Sequence, residues 1–324
     1  MIVIGRNTHA GVVAALAQAL GVSESYLRDE GGVTLAGVEF RTKASMTVKE
    51  RAHVQTEVLE WIERYLRLEG MLELDSARWQ CPVSMRKLAR VREAEGVAEA
   101  VREAWRLGAD AVPNVTELLE EKGLKVLTVR LPDAVSGFKC DVLRADGAPA
   151  VPAIVVNNQH TLERRRLTLA HELAHCVIDT TGLPYWDEEK AANWFAGAFL
   201  MPREHVVREV GKARKALGYQ ELVDLKHVYG VSGAALLMRL QSLDIISQST
   251  VSYAFQTVAR GWRTREPEEL EPVAERGRRE AAQRFERLCY RALAEGLMAV
   301  EGSAELLRVT VPEVEAGMRG PSRG

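Results

Sequence analysis

Within Leu169-Ala-His171-Glu172-Leu-Ala-His175-Cys-Val-Ile178, two imidazoles stand four residues apart with a carboxylate beside the first. Leu167, Leu169, Ala170, Leu173, Ala174, Val177 and Ile178 leave few polar positions apart from those three, so the stretch reads as a buried helix. Residues four apart on a helix lie one above the other on the same face, which puts His171 and His175 on a single line. Two imidazoles and a carboxylate on an otherwise apolar helix are costly to bury without a partner. A metal ion is the simplest partner for all three. The helix must then be central to the fold, and a second element must bring a further ligand to it.

Neutral imidazole binds zinc at about 2.0 to 2.1 Å, so the two rings can share one ion and leave room for a third protein ligand and a water. Glu172, one residue round the helix from His171, is placed to take a proton from that water. This is the His-Glu-x-x-His (HExxH) arrangement of metal-dependent peptidases. Downstream, the segment from Asp187 to Pro202 begins acidic and turns apolar. Acidic residues favour a helix start, and proline favours the position beyond its end. Ala192, Phe195, Ala196, Phe199 and Leu200 form the stripe that would face the first helix. Glu189 leads a face running through Asn193, Ala196 and Leu200 and so points inward, while Asp187 and Glu188 face solvent or cap the helix.

His171-Glu172-x-x-His175, a short turn, and Glu189-x-x-x-Asn193 running into Phe199-Leu200-Met201-Pro202 together closely resemble the ImmA/IrrE family of bacterial metallopeptidases. The resemblance extends upstream through Ala153-Ile154-Val155-Val156-Asn157 and the run from Glu163 to Ala170, and covers about residues 114 to 246. It implies a small gluzincin-like domain with Glu189 as third metal ligand and Glu172 as general base. It also implies cleavage of a partner protein, often a repressor of the Xre/Cro type. The chain is thus expected to be a zinc-dependent, site-specific endopeptidase with His171, His175 and Glu189 as ligands; manganese is the other metal this donor set admits. The competing reading is a non-proteolytic transcriptional regulator or antitoxin-like module that binds DNA or a repressor and keeps a vestigial metal site. The intact set of His171, Glu172, His175 and Glu189 favours the enzyme. Tyr185, His205 and Arg166 are the candidates for stabilising an oxyanion; His205 and His227 stay outside the metal set.

The rest of the chain sets the context. With 47% hydrophobic and 27% charged residues over 324 positions, it has the composition of a soluble globular protein of two or three domains. A formal net charge of -2 gives no global pull toward nucleic acid. There is no apolar run of about 18 residues, and residues 1–30 lack a charged start followed by an apolar core, so the expected location is the cytoplasm. Cys81, Cys140, Cys176 and Cys289 are scattered without C-x-x-C spacing, which argues for reduced thiols and against a cysteine-ligated zinc. Cys176 reads as a small core residue despite its neighbour His175.

Residues 10–28, a helix, a Gly21-Val22-Ser23 turn and a second helix, resemble only a fragment of an Xre-type DNA-binding domain. No basic face accompanies them, so DNA binding is weakly supported. Thr47-x-x-Glu50 is a capping box opening a long helix with Val54, Val58, Leu59, Ile62, Tyr65 and Leu66 on one stripe. Residues 84–108 read as helix with Val97, Val101, Ala104 and Trp105 on one side. Residues 124–131 and 137–143 read as strands that could pair, residues 152–157 as a third, and Asp146-Gly147 as a turn. Residues 221–240 form a helix-turn-helix-like pair around Tyr229-Gly230-Val231-Ser232, where Lys226 and Arg239 are too few for a DNA-reading face. Residues 263–280, with Pro267 and Pro272, read as a linker, followed by a helical pair over 285–297 and 303–318. The expected fold is α+β and mostly helical, with a small three-stranded sheet packed on a zincin-type HExxH helix. Four regions follow: a helical N-terminal part (1–110), a metallopeptidase core (111–205), a helix-turn-helix-like extension (206–262) and a C-terminal helical module (263–324).

Overall fold

A computed structural model describes Val12 and residues 33–36, 47–74, 78–85, 87–144, 150–262 and 264–319. The helix pair expected over residues 10–28 and the Asp146-Gly147 turn lie outside these residues, Val12 apart. The capping box is present: the Thr47 hydroxyl accepts from the Glu50 backbone N–H at 3.2 Å, and Glu50 Oε2 accepts from the Thr47 N–H at 2.7 Å. It opens α1 (Val48–Met71), whose Val54, Val58, Ile62 and Tyr65 are buried.

The sheet holds four strands rather than three: β1 (Val33–Ala36), β2 (Lys125–Val129), β3 (Gly137–Arg144) and β4 (Val151–Asn157), in the order β1-β3-β4-β2. β2 and β3 do not pair with each other as the sequence suggested. β4 lies between them, parallel to β2 and antiparallel to β3. All seven residues of β4 are buried, whereas β3 alternates, so β4 is the strand that needs neighbours on both sides. Strand alternation then sorts the two faces. Val151, Ala153 and Val155 join Phe138, Cys140 and Val142 against α1, while Val126, Ile154 and Val156 face the main core.

That core runs from Leu88 to Trp262 and is centred on α4 (Leu162–Val177) and α5 (Tyr185–Leu200). Asn157 shapes the entry to α4. Fully buried, it accepts from the Leu131 and Gln159 N–H groups and donates to the carbonyls of Leu131 and Val135. Phe195 and Phe199 stack within α5 at 5.7 Å, and α2 (Ala94–Ala104) packs across it. The helix expected from residue 84 begins only at the short 3-10 turn Val91–Glu93, and its inward face is Ala94, Ala98, Val101 and Arg102; Ala104 is exposed. The phase follows Arg102, whose guanidinium donates to the carbonyls of Phe199, Gly108 and Asp110.

α3 (Val115–Glu121), α6 (Arg203–Val210), the pair α7 (Tyr219–Tyr229) and α8 (Gly233–Ser242), and α9 (Gln248–Gln256) complete the helices around this core. Gly230 (φ 63°) closes α7 in the left-handed conformation, and Ser232 caps α8. The basic residues of this pair are structural. Arg239 is buried, with both Nη atoms on the Glu95 carboxylate at 2.7 Å and Nε on the Met201 carbonyl. Lys226 is buried on Glu163. Neither is available to a phosphate or a base edge.

Residues 264–283 do not behave as a solvated linker. Glu271 pairs with Arg165 at 2.9 Å, Glu280 pairs with Arg166, and the Glu163 carboxylate that holds Lys226 also accepts from Leu270 N–H. This strap therefore fastens to the first two turns of α4 through buried charge pairs. Beyond it, α10 (Arg284–Ala294) and α11 (Val300–Leu307) pack on α1 through Phe285, Leu288, Cys289 and Leu306, and α12 (Val311–Arg319) packs on α11. The helix expected over 303–318 is split at Arg308, which takes a left-handed conformation (φ 57°). Among the described residues, no helix is long and apolar enough to cross a membrane.

Candidate metal centre

The Thr161 hydroxyl accepts from Arg164 N–H at the start of α4, and thirteen further residues carry the helix through His171, Glu172 and His175 to Val177. α5 returns across it, its first turn opened by Pro184 and its last ended before Pro202. Their contact places three potential ligand atoms together. His171 Nε2 lies 3.2 Å from His175 Nε2 and 3.3 Å from Glu189 Oε2, and His175 Nε2 lies 4.0 Å from Glu189 Oε1. Among the described residues His171, His175 and Glu189 are the one group of three such side chains whose ligand atoms all fall within 4.8 Å of one another. Ligands at about 2.0 to 2.1 Å around a tetrahedral ion stand roughly 3.3 Å apart, so the two shortest separations fit a single small divalent ion.

Partners outside this cluster fix the rings. The Asn193 Oδ1 accepts from His171 Nδ1 at 3.2 Å, while its own Nδ2 donates to the Glu189 carbonyl at 2.9 Å. An imidazole whose Nδ1 carries the proton presents its Nε2 lone pair to the cluster. Glu188, expected to face solvent or cap the helix, lies in the first turn of α5 and brings its carboxylate to 3.9 Å from His175 Nδ1. Burial pushes His171 toward the neutral form, but the hydrogen bond to Glu189, the charges of Glu172 and Glu189 and the bond to Asn193 outweigh it and raise its pKa.

Glu172 is 7% exposed, within α4 and one position round from His171. Cys176, one turn on, donates to the Glu172 carbonyl, and burial pushes its thiol up to about 12, as suits a core residue. The side of α4 that carries Glu172 and Cys176 meets β3. A methyl group on Gly137 would collide with Thr168 Cγ2 at 2.7 Å, so only glycine fits there. Alternation puts Lys139 and Asp141 on that same strand face, where they form a 2.8 Å ion pair whose charges, with that of Glu172, act on Cys176.

Of the three oxyanion candidates, Arg166 is buried on Glu280 and on the carbonyls of Val112 and Pro113, and His205 Nδ1 is bonded to Tyr229 OH at 2.7 Å. The Tyr185 side chain lies outside the described set. His227 is exposed on α7.

The family model of the IrrE N-terminal-like domain, a peptidase family, matches residues 119–241, a span that contains β2 to α7 and every side chain of the cluster. No curated protein matches the chain. The matching family is one of generally metal-dependent peptidases, so the chemistry is of metallopeptidase type and the substrate a protein. Over residues 119–241 the chain is similar to the IrrE N-terminal-like peptidase family.

Proposed function

We propose that the protein is a zinc-dependent endopeptidase in which His171, His175 and Glu189 hold the ion and Glu172 is the general base. The observation that carries this reading is the convergence of the three ligand atoms from two helices, at separations suited to one ion, with a buried carboxylate alongside. A divalent ion held there supplies Lewis acidity that makes water a nucleophile near neutral pH. Glu172 takes the proton from the attacking water and passes it to the leaving amine. Asn193 keeps His171 in one tautomer. Lys139 offers the cation on the β3 side that a carbonyl oxygen gaining negative charge would meet.

The substrate we propose is one folded partner, an Xre-type transcriptional repressor, selected by the helical regions around the peptidase domain. Support comes from the burial of Lys226 and Arg239, which leaves the helix-turn-helix-like pair as scaffold for protein contacts and not for DNA. The test has two parts. Elemental analysis of the purified protein should find one zinc per chain, and its absence would sink the peptidase reading. The zinc-loaded protein should cleave a repressor from the same genome while sparing casein; efficient casein digestion without such preference would remove the proposed specificity.

A further inference from the structure

A cavity of about 580 Å³ opens between the start of α3, the first turns of α4, the end of α7 and residues 278–283. Its volume lies in the range of small-molecule sites. Arg166, Arg278, Arg279 and His227 line it, against one lining carboxylate, Glu280. That carboxylate is already engaged by Arg166 and by the Val115 and Thr116 N–H groups. Arg278 and Arg279 are exposed and, among the described residues, make no ion pair; Arg279 donates one bond to the Leu270 carbonyl. Arg166 is 4% exposed, and its Nε has no hydrogen-bond partner. It sits against Gly230, where an added Cβ would come within 2.5 Å of that nitrogen. Val112, Leu162, Val228 and Leu270 supply an apolar wall.

Two uncompensated guanidiniums beside an imidazole are best matched by a dianion, since a single carboxylate would leave one cation unpaired. A guanidinium fork fits phosphate oxygens in pairs. The apolar wall suits the organic part of such a molecule. We infer that this cavity is a binding site for a small phosphorylated molecule of about mononucleotide size, held by Arg278 and Arg279 and closed by the strap over α4. The inference stands apart from the metal centre, which lies further along the same helix.

Isothermal titration calorimetry on the full chain, with AMP and inorganic phosphate as phosphate probes and citrate as a carboxylate probe, tests it. AMP should bind, Arg278→Glu should weaken it at least tenfold, Arg278→Lys should weaken it less than Arg278→Glu because the charge stays while the fork is lost, and His171→Ala should leave it unchanged. Thermal melts of each variant check that the fold is kept; both Arg278 variants alter an exposed side chain. The proposal is overturned if neither phosphate probe binds at millimolar concentration, if Arg278→Glu binds as wild type, or if His171→Ala abolishes binding. Citrate binding as tightly as AMP would overturn the assignment to phosphate.

Discussion

Asn193 joins two members of the candidate centre, its amide oxygen on His171 Nδ1 at 3.2 Å and its amide nitrogen on the Glu189 carbonyl at 2.9 Å. Because the side chain is exposed, its removal should not disturb the fold. Asn193→Ala is expected to lower metal affinity by about 10- to 100-fold through loss of ring orientation, read by competition with a chelator. Unchanged affinity would show that the ring is held by packing alone.

Glu172→Gln should keep metal and fold and lose cleavage by about 10²- to 10⁴-fold. A variant retaining most of its kcat would move the base elsewhere.

The two neighbouring carboxylates separate by role. Glu189→Ala should lose stoichiometric metal, whereas Glu188→Ala should retain it and weaken it at most, since Glu188 approaches the far nitrogen of His175. Metal content after dialysis distinguishes the two, and the reverse order would mean that α5 is rotated relative to its placement here.

Lys139→Met should reduce kcat by about 10²- to 10³-fold, the usual cost of losing one stabilising donor to an oxyanion, with metal content unchanged. A normal kcat would leave Lys139 as no more than the partner of Asp141.

Glu120 bears on stability. Burial raises its carboxyl to about 7, against the opposing hydrogen bond from Tyr65 OH and with help from the charge of Glu117. The unfolded chain ionises this group near 4.5, so between that value and about 7 the folded state holds the extra proton. Its contribution to stability is full below pH 4.5 and is lost as pH rises to about 7. Glu120→Gln should therefore raise stability at pH 8 by a few kcal/mol, on the order of 1.4 per pKa unit, and flatten that pH range in urea unfolding. A steeper decline in the variant would contradict it.

How much of this could be read in advance depended on the range of the interactions. The approach of Glu189 to His171 and His175 was legible because helical periodicity is a local property, and the Thr47 capping box for the same reason. The insertion of β4 between β2 and β3 was not, since pairing is decided by which strand is buried on both faces. Arg102 shifted the buried face of α2 because the carbonyls of Phe199, Gly108 and Asp110 take its guanidinium. The stretch 263–280 looked like a linker for its prolines and mixed charge; two of its acidic residues, Glu271 and Glu280, are spent on cations more than 100 positions earlier, which no local pattern reveals.

Those late partners set an order of events in biosynthesis. Arg165 and Glu271 are 106 residues apart, and α4 cannot bury Arg165 and Arg166 favourably until the strap has emerged from the ribosome. At about 5 to 20 residues per second this is a delay of roughly 5 to 20 s, during which the ligand-bearing helix lacks its brace. The first turns of the helix that carries His171 and His175 are thus braced only by a segment synthesised about a hundred residues later.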